Sequence, residues 1–166
     1  MKTVIIFRHA KSDWSSAEAN DHNRPLAPRG RKSAKVMGRF LAGCGQLPDS
    51  VVTSSAVRAR TTAQLAMKAG RWECTKRVTN RLYNCSAADV LKEIKAEPDS
   101  SEILLIVGHE PTCSETIGRL AGQTKVDFST GAMARLDLPI DHWRDAKFAA
   151  AQLIWLVTPK LVKEMV

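Results

Sequence analysis

The sequence predicts an α/β fold, a three-layer α/β/α sandwich around a mostly parallel central sheet. Residues 3–7 and 102–107 are short runs dominated by apolar side chains, without polar alternation, as in strands buried on both faces. Segments with apolar residues at helical spacing lie between such runs. No internal repeat or linker interrupts the alternation, which is the order that places crossover helices on both faces of a parallel sheet.

Residues 3–7 form the first strand, and a polar loop follows to Pro28. Residues 29–42 read as a helix because Val36, Met37, Phe40 and Leu41 recur at helical spacing, with Gly43 as the stop. Residues 50–53 are a second strand. After it, Ser54 or Ser55 is placed to cap a helix that runs to Lys68 or Ala69 and ends at Gly70. A weak strand is expected at 77–79. Ser86 with Asp89 three residues on has the form of a capping box for a helix to Ala96. Residues 102–107 are the clearest strand, and Pro111 suits the first turn of a helix ending near Gly122. Residues 132–138 alternate up to Pro139, and 151–157 give a last strand.

A length of 166 residues and a mass of 18.3 kDa fit a single domain over 1–166. Such a chain buries roughly 70% of its unfolded surface, so it needs neither a metal nor a disulfide to fold. A composition 44% hydrophobic and 25% charged excludes a disordered or low-complexity protein. The longest apolar run is a strand's length, far short of the ~18 residues of a membrane span. The apolar stretch before Arg8 is too short for a signal peptide. A cytoplasmic protein with no membrane partner is expected. Cys44, Cys74, Cys85 and Cys113 form no C-x-x-C pair and read as free thiols. The net charge of +8 is concentrated early, since residues 1–60 hold 11 Lys/Arg against 4 Asp/Glu. That field favours an anionic partner.

In open α/β sheets, ligands bind outside the carboxyl ends of the strands. The first strand ends in Arg8-His9, the second in Ser54-Ser55 with Arg58 in the next helical turn, and the strand at 102–107 ends in Gly108-His109. Two of the four histidines and two arginines therefore converge on one rim, where helix N-termini add free N–H groups. This is a phosphate-sized site. A neutral imidazole is a competent nucleophile toward phosphorus, and guanidiniums grip phosphoryl oxygens bidentately. The arginines are expected to depress the imidazole pKa. Arg60, two positions beyond Arg58, falls on nearly the opposite helix face and reads as solvated.

These residues carry a resemblance. Arg8-His9-Ala10 after an N-terminal strand, the run Ser54 to Ala63 containing Arg58, and Gly108-His109-Glu110-Pro111 are similar to the motifs of the histidine phosphatase superfamily, whose fold is phosphoglycerate mutase-like. The run Arg8 to Trp14, followed by Arg24-Pro25-Leu26 and Gly30, resembles the small SixA-type phosphohistidine phosphatases. The resemblance extends to Gly131-Ala132. It implies that His9 is the nucleophile, transiently phosphorylated, and that Arg8, Arg58 and His109 hold the phosphoryl oxygens. It also implies no cofactor and no metal. Arg24 is either a further anion contact or a surface residue before a proline. Ser12 is either a hydrogen-bond donor at the site's edge or a loop residue capping its own backbone.

The sequence departs from the family pattern in two places. Ala10 stands where glycine is commoner, so the backbone there must accept a Cβ. The mutase-like members have a glutamate general acid in the region of Leu82-Tyr83-Asn84, and none is present here. Glu110, Asp13 and Asp21 are the substitutes to consider, each otherwise a salt-bridge or loop residue. A labile P–N bond needs little acid help, unlike a sugar phosphate's alkoxide. Only 50 residues separate Arg58 from His109, and strands and helices already claim them, leaving none for a lid. A shallow basic site suits a phosphorylated side chain of another protein. The expected substrate is phosphohistidine on a partner protein. The alternatives are a small-molecule phosphomonoester or, without catalysis, a phosphate- or nucleic-acid-binding module.

Three weaker patterns compete. Cys113 and Arg119 form the C-x5-R of cysteine-dependent phosphatases, but within an expected helix and with an acid between them. His9 and His109 with a carboxylate could hold zinc, though without ligand spacing and beside two arginines. The pI of about 9.6 and the basic run Arg29, Arg31, Lys32, Lys35, Arg39 suggest nucleic acid. Aromatics at only 5% and the lack of a recognition motif argue for no nucleic-acid partner. Trp14 is placed to wall the site, while Trp72, Trp143 and Trp155 read as packing residues.

Overall fold

The apolar runs become the centre of one six-stranded sheet. The computed structural model describes residues 1–18 and 20–165; residues 19 and 166 lie outside the described residues. In chain order the elements are β1 (Lys2–Arg8), α1 (Pro28–Gly43), β2 (Ser50–Ser54), α2 (Val57–Gly70), β3 (Thr75–Thr79), α3 (Ala87–Lys95), β4 (Ile103–Gly108), α4 (Thr112–Leu120), β5 (Met133–Leu138), β6 (Gln152–Val157) and α5 (Pro159–Glu164). The strand order is β3-β2-β4-β1-β5-β6. β1, β2, β3 and β4 are mutually parallel, β5 runs against β1, and β6 runs against β5. Only β5 opposes the rest, so the mostly parallel sheet is present, with a mixed edge.

Alternation along the central strands builds the two outer layers. Val4, Ile6, Leu104 and Ile106 pack with Val90 and Ile94 of α3 and Ile117 and Leu120 of α4. Ile5, Phe7, Leu105 and Val107 face the other way, onto Met37 and Leu41 of α1 and Ala59, Ala63 and Ala66 of α2. Each fully buried aliphatic side chain contributes ~1.5–3 kcal/mol, which is why β1 and β4 lack polar alternation. Gly38 permits the close α1–α2 approach, since a Cβ there would collide with the Ala66 backbone. No helix among the described residues is long and apolar enough to cross a membrane.

Several elements differ from expectation. β3 spans Thr75–Thr79 rather than 77–79; it is an exposed edge strand, so it carries little apolar signal. Ser54 and Ser55 do not supply a side-chain cap to α2, whose N-cap is Ala56; both hydroxyls bond histidines instead. Pro111 is the N-cap of α4 rather than a residue of its first turn. α5 is too short to show periodicity, yet Thr158 caps it and Pro159 opens it. The capping box of Ser86 and Asp89 is present as expected.

The register positions the site. Arg8 lies beside Gly108, Thr53 beside Val107, and Ser54 beside Thr79, so β1, β2 and β4 end flush. The loop from β1 to α1 is pinned across this edge. Ser12 bridges Leu26, and the Asp13 and Ala27 amides bond Pro25 O and Lys11 O at 2.8 and 2.9 Å. Gly30 allows this path, because a Cβ there would meet the Lys11 carbonyl. A short 3-10 helix, Asp21–Asn23, capped by Asn20, brings Asp21 and His22 over the start of α2.

Candidate active site

His9 follows β1 directly, and its backbone is clamped on three sides. Its amide donates to Gly108 O at 3.0 Å, its carbonyl accepts from Gly131 N at 3.1 Å, and the next amide, of Ala10, donates to Thr62 Oγ1 at 3.0 Å. Thr62 Oγ1 in turn donates to Arg58 O at 2.7 Å, tying the loop after β1 to the first turns of α2. Ala10 is buried and outside the left-handed region, so the Cβ in place of glycine fits without strain.

The imidazole of His9 is buried. Its Nδ1 lies 2.8 Å from Ala10 O. A carbonyl oxygen can only accept, so Nδ1 carries the proton and Nε2 keeps its lone pair. Burial holds the pKa of His9 down to about 3, with the charges of His109, Arg58 and Arg8 adding to the effect against the bond to Ala10. His109 sits with its ring centroid 5.2 Å from that of His9 and its Nε2 2.8 Å from Ser54 Oγ. Burial, then Arg58, lowers its pKa to about 4. The arginines depress both imidazoles as expected, and removal from water is the larger cause in each.

Arg8 donates through Nη1 to Phe128 O at 2.8 Å, and Arg58 donates to Asp21 O at 2.7 Å and Asp21 Oδ2 at 3.2 Å. Among the described residues, four buried side-chain nitrogens or oxygens lack a partner: Arg8 Nε, Arg58 Nε, His109 Nδ1 and Ser101 Oγ. Buried polar groups are normally paired. Three of these four belong to one cluster around His9, and two of those are cationic donors that an anion satisfies.

Arg24 and Ser12 meet at the edge of this cluster. Arg24 Nε donates to Ser12 Oγ at 3.2 Å, its Nη1 to Asp21 Oδ1 at 2.7 Å, and its guanidinium lies 3.6 Å from the Trp14 ring centroid. Ser12 therefore orients Arg24. Trp14, 73% exposed, walls the rim.

None of the three carboxyl groups weighed as a general acid is placed as one. Glu110 accepts from Ser114 N and Ser114 Oγ, each at 2.7 Å, and so is held by the first turn of α4. Asp13 accepts from Ser15 N and Oγ in a turn, which lowers its pKa. Asp21 does stand in the site, but as a carboxylate. Bonds from Tyr83 and Arg58 and the charge of Arg24 hold its pKa to about 2. Tyr83, from the region where a glutamate was sought, donates to Asp21 Oδ2 at 2.6 Å and stands edge-on to both His22 and His109. Sequence reasoning missed Tyr83, Thr62 and His22; only Thr62 left a signal, its spacing of four from Arg58 on one helix.

The competing patterns do not assemble. Cys113 is buried, with its thiol pushed well above the usual range by burial, and Arg119 stacks on Phe148 at 3.8 Å. Among the described residues no group of three or more His, Cys, Asp or Glu is placed to hold a metal ion. Arg60 is exposed, as are Arg29, Arg31, Lys32, Lys35 and Arg39 on α1. The indoles of Trp72 and Trp143 are buried and bond Gly38 O and Ser101 O, while Trp155 packs on Phe40.

Two imidazoles and two guanidiniums gather where three parallel strands end, which makes this an α/β protein with a cationic cluster around a buried histidine at the sheet's edge. The profile of the histidine phosphatase superfamily (branch 1) matches residues 4–87, and the chain belongs to that superfamily. An uncharacterized protein of Mycobacterium tuberculosis is 35% identical over 164 residues, covering 92% of this chain and 99% of that one. The fold is similar to a structure from Nakamurella multipartitia provisionally described as the phosphohistidine phosphatase SixA, with TM-score 0.84, 28% identity and coverage of 95% and 96% of the two chains. A like-described Agrobacterium tumefaciens structure gives TM-score 0.81 and 25% identity, covering 95% of this chain and 98% of that one. The chain is of the SixA type within the superfamily.

Proposed function

We propose that this phosphatase removes phosphate from phosphohistidine on a partner protein, through a phosphorylated His9. The observation that carries the reading is the bond from His9 Nδ1 to Ala10 O, which leaves Nε2 unprotonated beside Arg8, Arg58 and His109. Nε2 attacks phosphorus; an N–P bond forms, and the bond to the leaving group breaks with its electron pair. Ala10 O then accepts from the cationic phospho-imidazole. Arg8, Arg58 and His109 hold the phosphoryl oxygens, with Arg24, set by Ser12, as a further contact at the rim. Water next attacks phosphorus, the pair returns to Nε2, and both protons of the water leave on dihydrogen phosphate.

Two features support the substrate class. No carboxylic acid among the three candidates is free to protonate an alkoxide, which disfavours sugar phosphates. Residues 59–108 are taken up by α2, β3, α3, β4 and their connections, which leaves no inserted lid and brings only Tyr83 of the described residues in that span to the Asp21 side of the site.

The test is phosphate release in EDTA from a phosphohistidine-bearing protein and from a sugar phosphate, with wild type and His9→Ala. Release from the first substrate that vanishes in the variant supports the reading. Faster release from the sugar phosphate moves the enzyme to small phosphomonoesters. Release from neither substrate, with retained phosphoprotein binding, makes it a binding module.

A further inference from the structure

We propose that Asp21 determines substrate specificity by holding the leaving imidazole of phosphohistidine in its protonated, cationic form. The inference rests on the proposed function and deepens it.

The geometry of displacement sets where the leaving group goes. Phosphoryl transfer is in line, so nucleophile and leaving group lie on opposite sides of phosphorus. His9 is only 7% exposed, so a phosphoryl group reaches its ring from the solvent side. The leaving group must then face the open rim, where the Asp21 side chain, 49% exposed, and Tyr83 stand. Asp21 already accepts from Arg24, Arg58 and Tyr83, and a carboxylate offers about four acceptor positions. One position is left for a donor arriving from solvent. His22, its neighbour in the chain, and His109 are the other titratable groups beside it, and the bonds from Tyr83 and Arg58 with the charge of Arg24 keep Asp21 ionised.

The chemistry asks for such a group. A phosphohistidine ring that is neutral leaves as an imidazolide anion, whereas a ring protonated on its second nitrogen leaves as neutral imidazole. In the proposed step the P–N bond breaks, its electron pair stays on the substrate nitrogen, and the proton on the far nitrogen stays where it was, donated to Asp21. His9 has the same arrangement, with its far nitrogen donating to Ala10 O. The phosphoryl group thus passes between two imidazoles whose outer N–H groups are each held by an oxygen acceptor. A phosphomonoester has no such N–H and gains nothing from a carboxylate, which repels its dianion.

The test compares kcat/KM for a phosphohistidine peptide and for p-nitrophenyl phosphate, in wild type, Asp21→Asn and Asp21→Glu. An opposite charge within contact distance shifts a pKa by about 1–3 units. In Asp21→Asn the preference for phosphohistidine over p-nitrophenyl phosphate should fall roughly tenfold or more, and the alkaline limb of kcat on the peptide should move down by about one pH unit. Asp21→Glu, which keeps the charge, should restore both in part. Equal losses on the two substrates in both variants, complete inactivity included, would show that Asp21 merely positions Arg58 and would overturn the inference. Wild type that cleaves p-nitrophenyl phosphate but not the peptide rejects the proposed function first, and the inference with it.

Discussion

Acidification from pH 7.5 to 5 should destabilise this fold through His9 and His109. Both are neutral, His9 buried and His109 half-buried, with pKa values near 3 and 4 against 6.5 in the unfolded chain. Their folded values are depressed, so the unfolded state takes up protons first. Stability is therefore full above pH 6.5 and is lost as pH falls toward 4 and then 3. Between pH 7.5 and 5 each histidine costs about 2 kcal/mol, or about 4 kcal/mol for the pair, from ~1.36 kcal/mol per pKa unit. That figure depends mainly on the unfolded value, because neither ring titrates appreciably in the folded protein within this window. Asp21, with its pKa near 2, begins to lose its contribution only as pH falls toward its unfolded value of 3.8, mostly below the window. The assay is urea unfolding at pH 7.5, 6 and 5 for wild type and His9→Gln. Wild type should lose about 4 kcal/mol and the variant about 2. A wild-type stability flat across this range, or an equal slope in the variant, would refute the burial of neutral imidazoles. The same burial keeps Nε2 of His9 nucleophilic down to pH 5, where an ordinary imidazole is ~97% protonated.

Two further changes probe what holds His9 and the loop after it. Thr62→Val keeps the shape but removes the hydroxyl between Ala10 N and Arg58 O. It should destabilise by about 1–3 kcal/mol, read as a lower urea midpoint, and lower kcat/KM more than the melting shift alone accounts for. Gly30→Ala places a methyl against the Lys11 carbonyl. It should cost about 1–3 kcal/mol and raise KM, because the loop carrying Asp21 and Arg24 must shift, which phosphate-release kinetics and thermal unfolding together would show.

The sequence by itself determined the sheet and the residues at its edge. Apolar runs at β1 and β4 can be satisfied only by burial on both faces, and strands so buried must be covered by the helices between them. That order alone brought Arg8, His9, Arg58 and His109 to one rim, since strand ends are local features and their side follows from parallel pairing. Exposed elements were less legible: β3 has hardly a buried side chain to mark its start, and α5 has a cap but too few residues for a period. What only the tertiary structure decided is how the site is wired. Asp21, Arg24, Arg58 and Tyr83 come from three separate segments, and no local pattern says that a loop carboxylate will lie between two arginines and a phenol. The serines before α2 illustrate the same limit. They have the composition of helix caps, but two histidine rings arriving from β4 and from the loop before α1 take up both hydroxyls. The protonation states follow suit: the packed ends of three strands bury His9 and half-bury His109, so their neutrality is a property of the assembled fold.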